Sequence, residues 1–435
     1  MHDVLDDRDL VPDEAQQLAH SGYPVGDLLP RATRAASDGD YTDLAAIKKE
    51  LGRLQRDPQW AYQETSDPEQ LRALIDQLPA VAVDRDTLFD RIHGAWLGRC
   101  VGNTMGKPVE GLTPSEVEIY LKAVGQWPQT GYIPLLDELP AGVSHLHESA
   151  PYASAGLFTD VPRDDDIDWT ILNLSLLERF GDSIGTTQIA TAWLDALPFT
   201  QTFTAERAAY RNVIRGVPVE DAAGTDNPYR EWIGALIRGD VFGYTHPGDP
   251  AAAARLALTD AVFSHVANGI YGEVWAAAVV ATSFGTADPA VALRTGLDAI
   301  PSASRLAEAL RHILDLHEQN VSVTDALGWA HDHLGHYNWV HTINNAAFIS
   351  IALLWGRNFT DAIAISVAAG NDTDSTAATV GSIYGALHGS AAIPTDLIGT
   401  THVHVRSAVK DFDRVSIREL AERTLSLVTT TEVLA

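Results

Sequence analysis

Four aspartates fall within five positions of the stretch "VPRDDDIDWTILNLSLLERF": Asp164, Asp165, Asp166 and Asp168. A strongly apolar segment follows at once, and such a segment tends to carry its leading turn toward the protein interior. Capping and the positive end of a helix explain one or two acids at a helix start. They do not explain three in a row followed by a fourth. A second acidic stretch lies far down the chain, in "AAGNDTDSTAATVGSIYGALHG", where Asp372, Asp374 and Ser375 sit at a loop entering another apolar helix. Hard divalent cations take several oxygen ligands, so carboxylates plus a hydroxyl suit magnesium or manganese. A calcium loop of the EF-hand type fails on spacing. Counting from Asp164, Trp169 stands where glycine is required and Ser175 where a bidentate acid is required. The bland alternative is a solvated acidic face, which suits the first cluster better than the second, flanked as that one is by "AISVAAG" and "TAATVGSIYG".

The elements that must position these groups have a helical period. Gly94, Gly98, Gly102 and Gly106 recur every four residues, and Ala377, Gly381, Gly385 and Gly389 repeat the spacing near the other end. Each row lies along one side of a helix. An internal glycine weakens a helix relative to alanine, so two rows are best explained by close backbone approach between buried helices. Helical patterns also run over Ala251 to Phe284, Ser304 to His317 and Thr342 to Leu354, with no convincing strand alternation and no tandem repeat. The expected class is all-α, a compact orthogonal multi-helix bundle over 85–435 preceded by a helical extension over 1–84. In the extension, Thr42 is a candidate cap for a helix with Leu44, Ile47, Leu51 and Leu54 on one stripe, and Asp67 or Ser66 caps another that starts at Pro68.

A formal net charge of −28 argues against a nucleic-acid polymer or an anionic membrane as partner. An anionic small substrate would need a local positive centre, which a bound metal would supply. The lone cysteine, Cys100, excludes an internal disulfide and a cysteine-built zinc site. The start "MHDVLDDRDLVPDEAQQ" has no apolar signal core, and the most membrane-like run, Thr376 to Ile393, is rich in small residues and interrupted by His388. A cytoplasmic protein is expected.

Three blocks, "GAWLGRCVGNTMGKPVEG", "RDDDIDWT" and "AGNDTDSTAATVGSIYGALHG", resemble in order the signature segments of the ADP-ribosylglycohydrolase family, over about Thr87 to Gly389. The resemblance implies an all-α hydrolase that cleaves the C1″ glycosidic bond between ADP-ribose and an acceptor. It implies two Mg2+ ions (Mn2+ also serving) held between the acidic clusters. Matched position by position, Asp372, Asp374 and Ser375 correspond to the later ligands, serine replacing threonine. Asp164, Asp165 and Asp166 correspond to the earlier ones, with aspartate where threonine is commoner. If Arg163 takes the threonine place instead, Asp164 and Asp165 are the ligands and Asp166 moves outward. Glu110 matches an acid near the metals, and Asp165 or Glu110 is the candidate for activating water. Asn371 stands where other members carry glycine or an aromatic residue.

Two further polar blocks are candidates for substrate binding. "FSHVANGIYGEVWAAAV" offers Asn268 and Gly269, with His265 and Gly272 on the same helical side, and "HYNWVHTINNAAFISIALLWG" offers His341, Asn344 and Asn345. The bland reading makes them hydrogen-bonded buried groups or caps. His331, His333 and His336 in "AHDHLGH" lack a companion ligand set and read as surface or loop residues, and Arg163 either meets a phosphate or pairs with its acidic neighbours. The expected partner is an ADP-ribosylated protein or a small ribosyl glycoside. Two alternatives stay open: a hydrolase of nucleoside-like N- or O-ribosyl glycosides on the same scaffold, and a member that binds metal without turnover.

Overall fold

The computed structural model describes residues 5–428, which form twenty-one α-helices and a single antiparallel pair of two-residue strands, His404–Val405 with Val415–Ser416. The centre of the molecule is the pair of glycine-bearing helices, Arg85–Gly106 and Thr373–His388. They run antiparallel in backbone contact. A Cβ placed on Gly98 would lie 2.1 Å from the Gly381 carbonyl oxygen, one on Gly102 2.0 Å from that of Ala377, and one on Gly106 2.2 Å from that of Thr373. No side chain larger than hydrogen fits there. The glycine rows therefore exist to let two helices touch, and the cost to helix propensity is offset by burial on nearly every side. Around this pair a single large hydrophobic core takes in Trp96, Trp169, Trp193, Trp275 and Phe263, all essentially inaccessible.

Residues before 84 build four helices of their own: α1 (Asp7–His20), α2 (Leu28–Asp38), α3 (Tyr41–Leu51) and α4 (Pro68–Ile75). The first three enclose a small separate core from Val11, Leu18, Leu28, Leu44, Ile47 and Leu51, while Leu71 and Ile75 of α4 join the main core. The cap of α3 is Asp40, whose carboxylate accepts from the Asp43 N–H; Thr42 lies inside the helix, because the chain enters it two residues earlier than expected. Asp67 caps α4 with Pro68 at its first position, as the sequence predicts. The long helical pattern from Ala251 is two helices, Pro250–Ala261 and Asn268–Ser283. The break falls at Ala267, whose φ of 43° no α-helix accommodates, and His265 thus lies in the link rather than on a helix face. Among the described residues no helix is long and apolar enough to cross a membrane.

Candidate metal centre and its cavity

Backbone contact between the glycine helices places the end of the first beside the start of the second, and the Thr373 hydroxyl donates to the Gly106 carbonyl at 2.8 Å. The chain leaving the first helix turns through Lys107–Val109 to Glu110. Gly111 donates to the Asn371 carbonyl at 2.8 Å, and the Asn371 N–H donates to the Leu112 carbonyl at 2.9 Å. This clamp holds the loop bearing Glu110 against the loop that delivers Asp372. It requires left-handed backbone at Gly370 (φ 67°) and Asn371 (φ 64°), and asparagine is among the few side-chain-bearing residues at ease there.

The third element is the helix Asp165–Phe180, capped by Asp164. Its first turn is anchored by Arg99, wholly buried in the first glycine helix. The Arg99 guanidinium donates twice to the Asp166 carbonyl (2.8 and 2.6 Å) and once to Asp240 (2.6 Å). Asn103, one turn on, donates to the Asp166 carboxylate at 3.0 Å.

Three chain segments therefore converge on one point. Glu110, Asp372 and Asp374 form one carboxylate triad and Asp164, Asp166 and Asp374 another, the ligand atoms within each lying within 4.8 Å of one another. Asp374 is common to both. All five residues are buried. Crowded acids in a dry pocket resist ionisation. Burial, then the Asp374 charge, pushes Glu110 up to about 8. Burial, then Asp164, pushes Asp165 to about 7, and Asp166 and Asp372 rise well above the ordinary carboxylate range for the same reasons. Asp164 goes the other way: although burial opposes ionisation, Lys107 holds it at about 2.

Lys107 is the protein's own counter-charge. Its ammonium lies 2.7 Å from Asp164, 2.6 Å from Asp374 and 2.7 Å from Glu110, so it reaches into both triads. One ammonium cannot satisfy five buried carboxylates. One oxygen each of Asp166 and Asp374 is buried without a hydrogen-bond donor. Orphaned carboxylate oxygens aimed into an all-oxygen donor set are what a hard divalent cation requires, so the residues present fit magnesium or manganese.

Glu110, Asp372 and Asp374 of this cluster form the floor of a cavity of about 600 Å3. Asp165 and Ser375 face it from the floor. One wall is Phe203, Thr204, Glu206 and Trp232; another is Asn338, Trp339 and Val340; His145 and His147 close a third side, with His147 Nδ1 3.1 Å from Glu110.

The residues singled out in the sequence separate into two groups. Glu110, Asp165, Asp372, Asp374 and Ser375 line the cavity, while Asp164 and Asp166 join Asp374 in the second triad without lining it. The register that takes Asp164, Asp165 and Asp166 together includes both acids of this triad, which the cap geometry brings close: Asp164 is the extended cap and its side chain accepts from the Asp166 N–H. Asp168 points away, accepting from Arg163, the Ser407 hydroxyl and the Ala408 N–H, and Arg163 also donates to the Gln201 carbonyl.

Asn268, Gly269, His341, Asn344 and Asn345 are buried and are not among the residues lining the cavity. Asn268 donates to Glu64, and Gly269 lies against the Arg230 carbonyl. Asn344 and Asn345 donate to the carbonyls of Asn338 and Trp339, so they hold a wall from behind. His341 caps its helix by accepting from the Ile343 N–H. His331, His333 and His336 join no group of metal-ligating residues among the described ones.

Sequence reasoning gave no role to Lys107, Asn103 or Arg99, although all three lie within the first quoted block. Trp232, Trp339, Phe203 and His147 carry no local signal, since they come from loops with no regular spacing.

The family model for ADP-ribosylglycohydrolases matches residues 84–433. A solved structure described as an ADP-ribosylglycohydrolase-related protein complex aligns with 21% sequence identity over 79% of this chain and 100% of its own, with a TM-score of 0.46. No curated protein matches the chain. With the matched segment spanning every element that builds the acidic floor, the chain belongs to the ADP-ribosylglycohydrolase family.

Proposed function

We propose that the protein is a divalent-metal-dependent glycohydrolase that breaks the C1″ bond between a ribose and its acceptor, with ADP-ribosylated protein or a small ADP-ribosyl compound as the substrate class the family suggests. The observation that carries this reading is the pair of carboxylate triads sharing Asp374, one of them wholly within the lining of an open cavity. Glu110, Asp372 and Asp374 would hold one Mg2+ or Mn2+ and Asp164, Asp166 and Asp374 a second, with the Ser375 hydroxyl beside them. Metal bound there supplies Lewis acidity toward the sugar hydroxyls and the scissile bond.

The remaining roles fall to the chain itself. Asp165 faces the cavity only half-buried and is not a member of either triad, which leaves its carboxylate placed to take a proton from water. Glu110 is the other candidate, but its carboxylate is already engaged by Lys107 and His147, which favours Asp165 as the base. The surrounding negative charge suits the positive character that develops at the anomeric carbon as the bond breaks.

A second reading, an unphosphorylated N- or O-ribosyl glycoside as substrate, is favoured by the lining of the cavity. Six acids line it, and the one Lys or Arg among the lining residues, Lys107, is held by three carboxylates. No free guanidinium or ammonium awaits a diphosphate.

Removal of metal with EDTA, add-back of Mg2+ or Mn2+, and assay of ADP-ribosylated protein beside free nucleosides test all of this. Metal-dependent release of ADP-ribose supports the first reading, and release of ribose from nucleosides alone supports the second. Turnover indifferent to complete metal removal ends both. Tight metal binding with no turnover on a broad glycoside panel marks a member that kept the site without the reaction.

A further inference from the structure

The segment before residue 84 lies outside the family match, yet it is built into the back of the cavity. Leu5 and Leu10 pack with Ala205, Ala208, Tyr229 and Trp232 in a cluster separate from both other cores. Phe203, Thr204, Glu206 and Trp232 on the same two segments face the cavity. The extension and the cavity therefore lie on opposite sides of a wall one side chain thick, and Trp232 takes part in both surfaces.

Ionic contacts hold the two residues before that tryptophan. Arg230 is gripped by Glu14 of α1 through two contacts of 2.5 and 2.9 Å. Glu231 shares Arg305 with Glu64: Arg305 lies 2.7 Å from Glu231 and 2.8 Å from Glu64, all three almost wholly buried. The extension is thus tied directly to Arg230 and, through a shared guanidinium, to Glu231, the two residues that precede Trp232. The following residue, Ile233, donates to the Val340 carbonyl at 2.9 Å, which links this wall to the Asn338–Val340 wall. Asn268, Gly269 and His341 belong to this fastening. Asn268 holds Glu64, Gly269 packs on the Arg230 carbonyl, and His341 pairs with Trp232 across an isolated antiparallel bridge.

We propose that residues 5–66 are a positioning element that sets the Trp232 wall against the part of the substrate remote from the scissile bond. This rests on the cavity being the substrate site. The extension then controls substrate affinity, while the carboxylate floor, carried by other helices, is indifferent to it. A planar acceptor or base is the group an indole wall suits, through stacking on its face.

The test uses the full chain carrying Glu14→Arg, which sets two cations against each other at the wall, and the restoring double variant Glu14→Arg/Arg230→Glu. Hydrogen exchange is measured over 229–234 and 338–341, Mn2+ binding by calorimetry, and KM and kcat on whichever glycoside the wild type turns over. In Glu14→Arg, exchange over both segments should rise and KM should increase about tenfold, with kcat within about twofold. Mn2+ affinity should not change, and the double variant should recover protection. Leu10→Ala should move the same readouts in the same direction. Unchanged exchange and KM in Glu14→Arg, or a fall in kcat alone, overturns the proposal. If the wild type turns over no glycoside, the function proposed above fails, but exchange and the binding of adenosine or ADP-ribose, followed by tryptophan fluorescence, still decide the role of the extension.

Discussion

At the residue scale, the acids of the opening stretch divide by what each one touches. Asp374 serves both triads, so Asp374→Asn should abolish tight metal binding and lower kcat/KM by more than about a hundredfold. Asp372→Asn should follow it. Asp168 accepts three hydrogen bonds from groups that are not in either triad, and Asp168→Asn leaves half-buried Arg163 with a weakened partner. It should cost stability of about 1–2 kcal/mol while metal stoichiometry measured by calorimetry stays as in the wild type.

The raised acids also give the metal-free protein a pH dependence. A carboxyl whose folded pKa exceeds its unfolded value contributes stability below the unfolded pKa and loses it as pH rises through the folded one. Glu110 at about 8 and Asp165 at about 7 therefore predict that, in EDTA, the melting temperature falls between about pH 5 and 8. Divalent metal should abolish most of that slope, and a flat profile in EDTA would contradict the crowding described here.

At the element scale, the glycine helices fix where the acids meet. Gly98→Ala and Gly102→Ala would each drive a methyl into a backbone carbonyl with no side chain able to yield. A loss of about 3 kcal/mol or more in denaturant unfolding is expected, against tenths for Gly328→Ala, where nothing lies within 4 Å.

This level was the most legible in the sequence. Rows of glycine at a spacing of four say that backbones touch, and two rows say with what. The acidic clusters stood out because their charge has no cheap solution in isolation. The polar blocks around Asn268 and His341 looked like pocket residues for the same reason, being polar side chains in apolar surroundings. Their actual demand is met by Glu64, Glu231 and Arg305, whose pairing across some 240 positions leaves no local trace. The aromatic walls were silent because Trp232 and Trp339 sit in loops, where no periodicity constrains a side chain's direction. Asp40 displaced Thr42 as a cap because a helix start tolerates a shift of two residues when both positions carry an oxygen.

At the scale of the whole molecule, a net charge of −28 surrounds an acidic cavity. Screening should therefore help an anionic substrate and leave a neutral one untouched. KM for an ADP-ribosylated substrate is expected to fall as NaCl rises from about 20 to 200 mM, while KM for an uncharged nucleoside holds steady. Identical salt responses would remove the argument from charge, and the comparison separates the two substrate readings without any mutation.

Contact between Gly98 and Gly381 has one more consequence, for biosynthesis. The last carboxylates of the floor are translated more than two hundred residues after the first, and the helix that carries them is the partner on which the earlier glycine helix must close. A ribosome-bound chain stopped before Thr373 would expose a groove of bare backbone and an incomplete ligand set. Any cation held by both triads would therefore have to wait until the helix from Thr373 has emerged, and truncated nascent chains should be the form most dependent on chaperones.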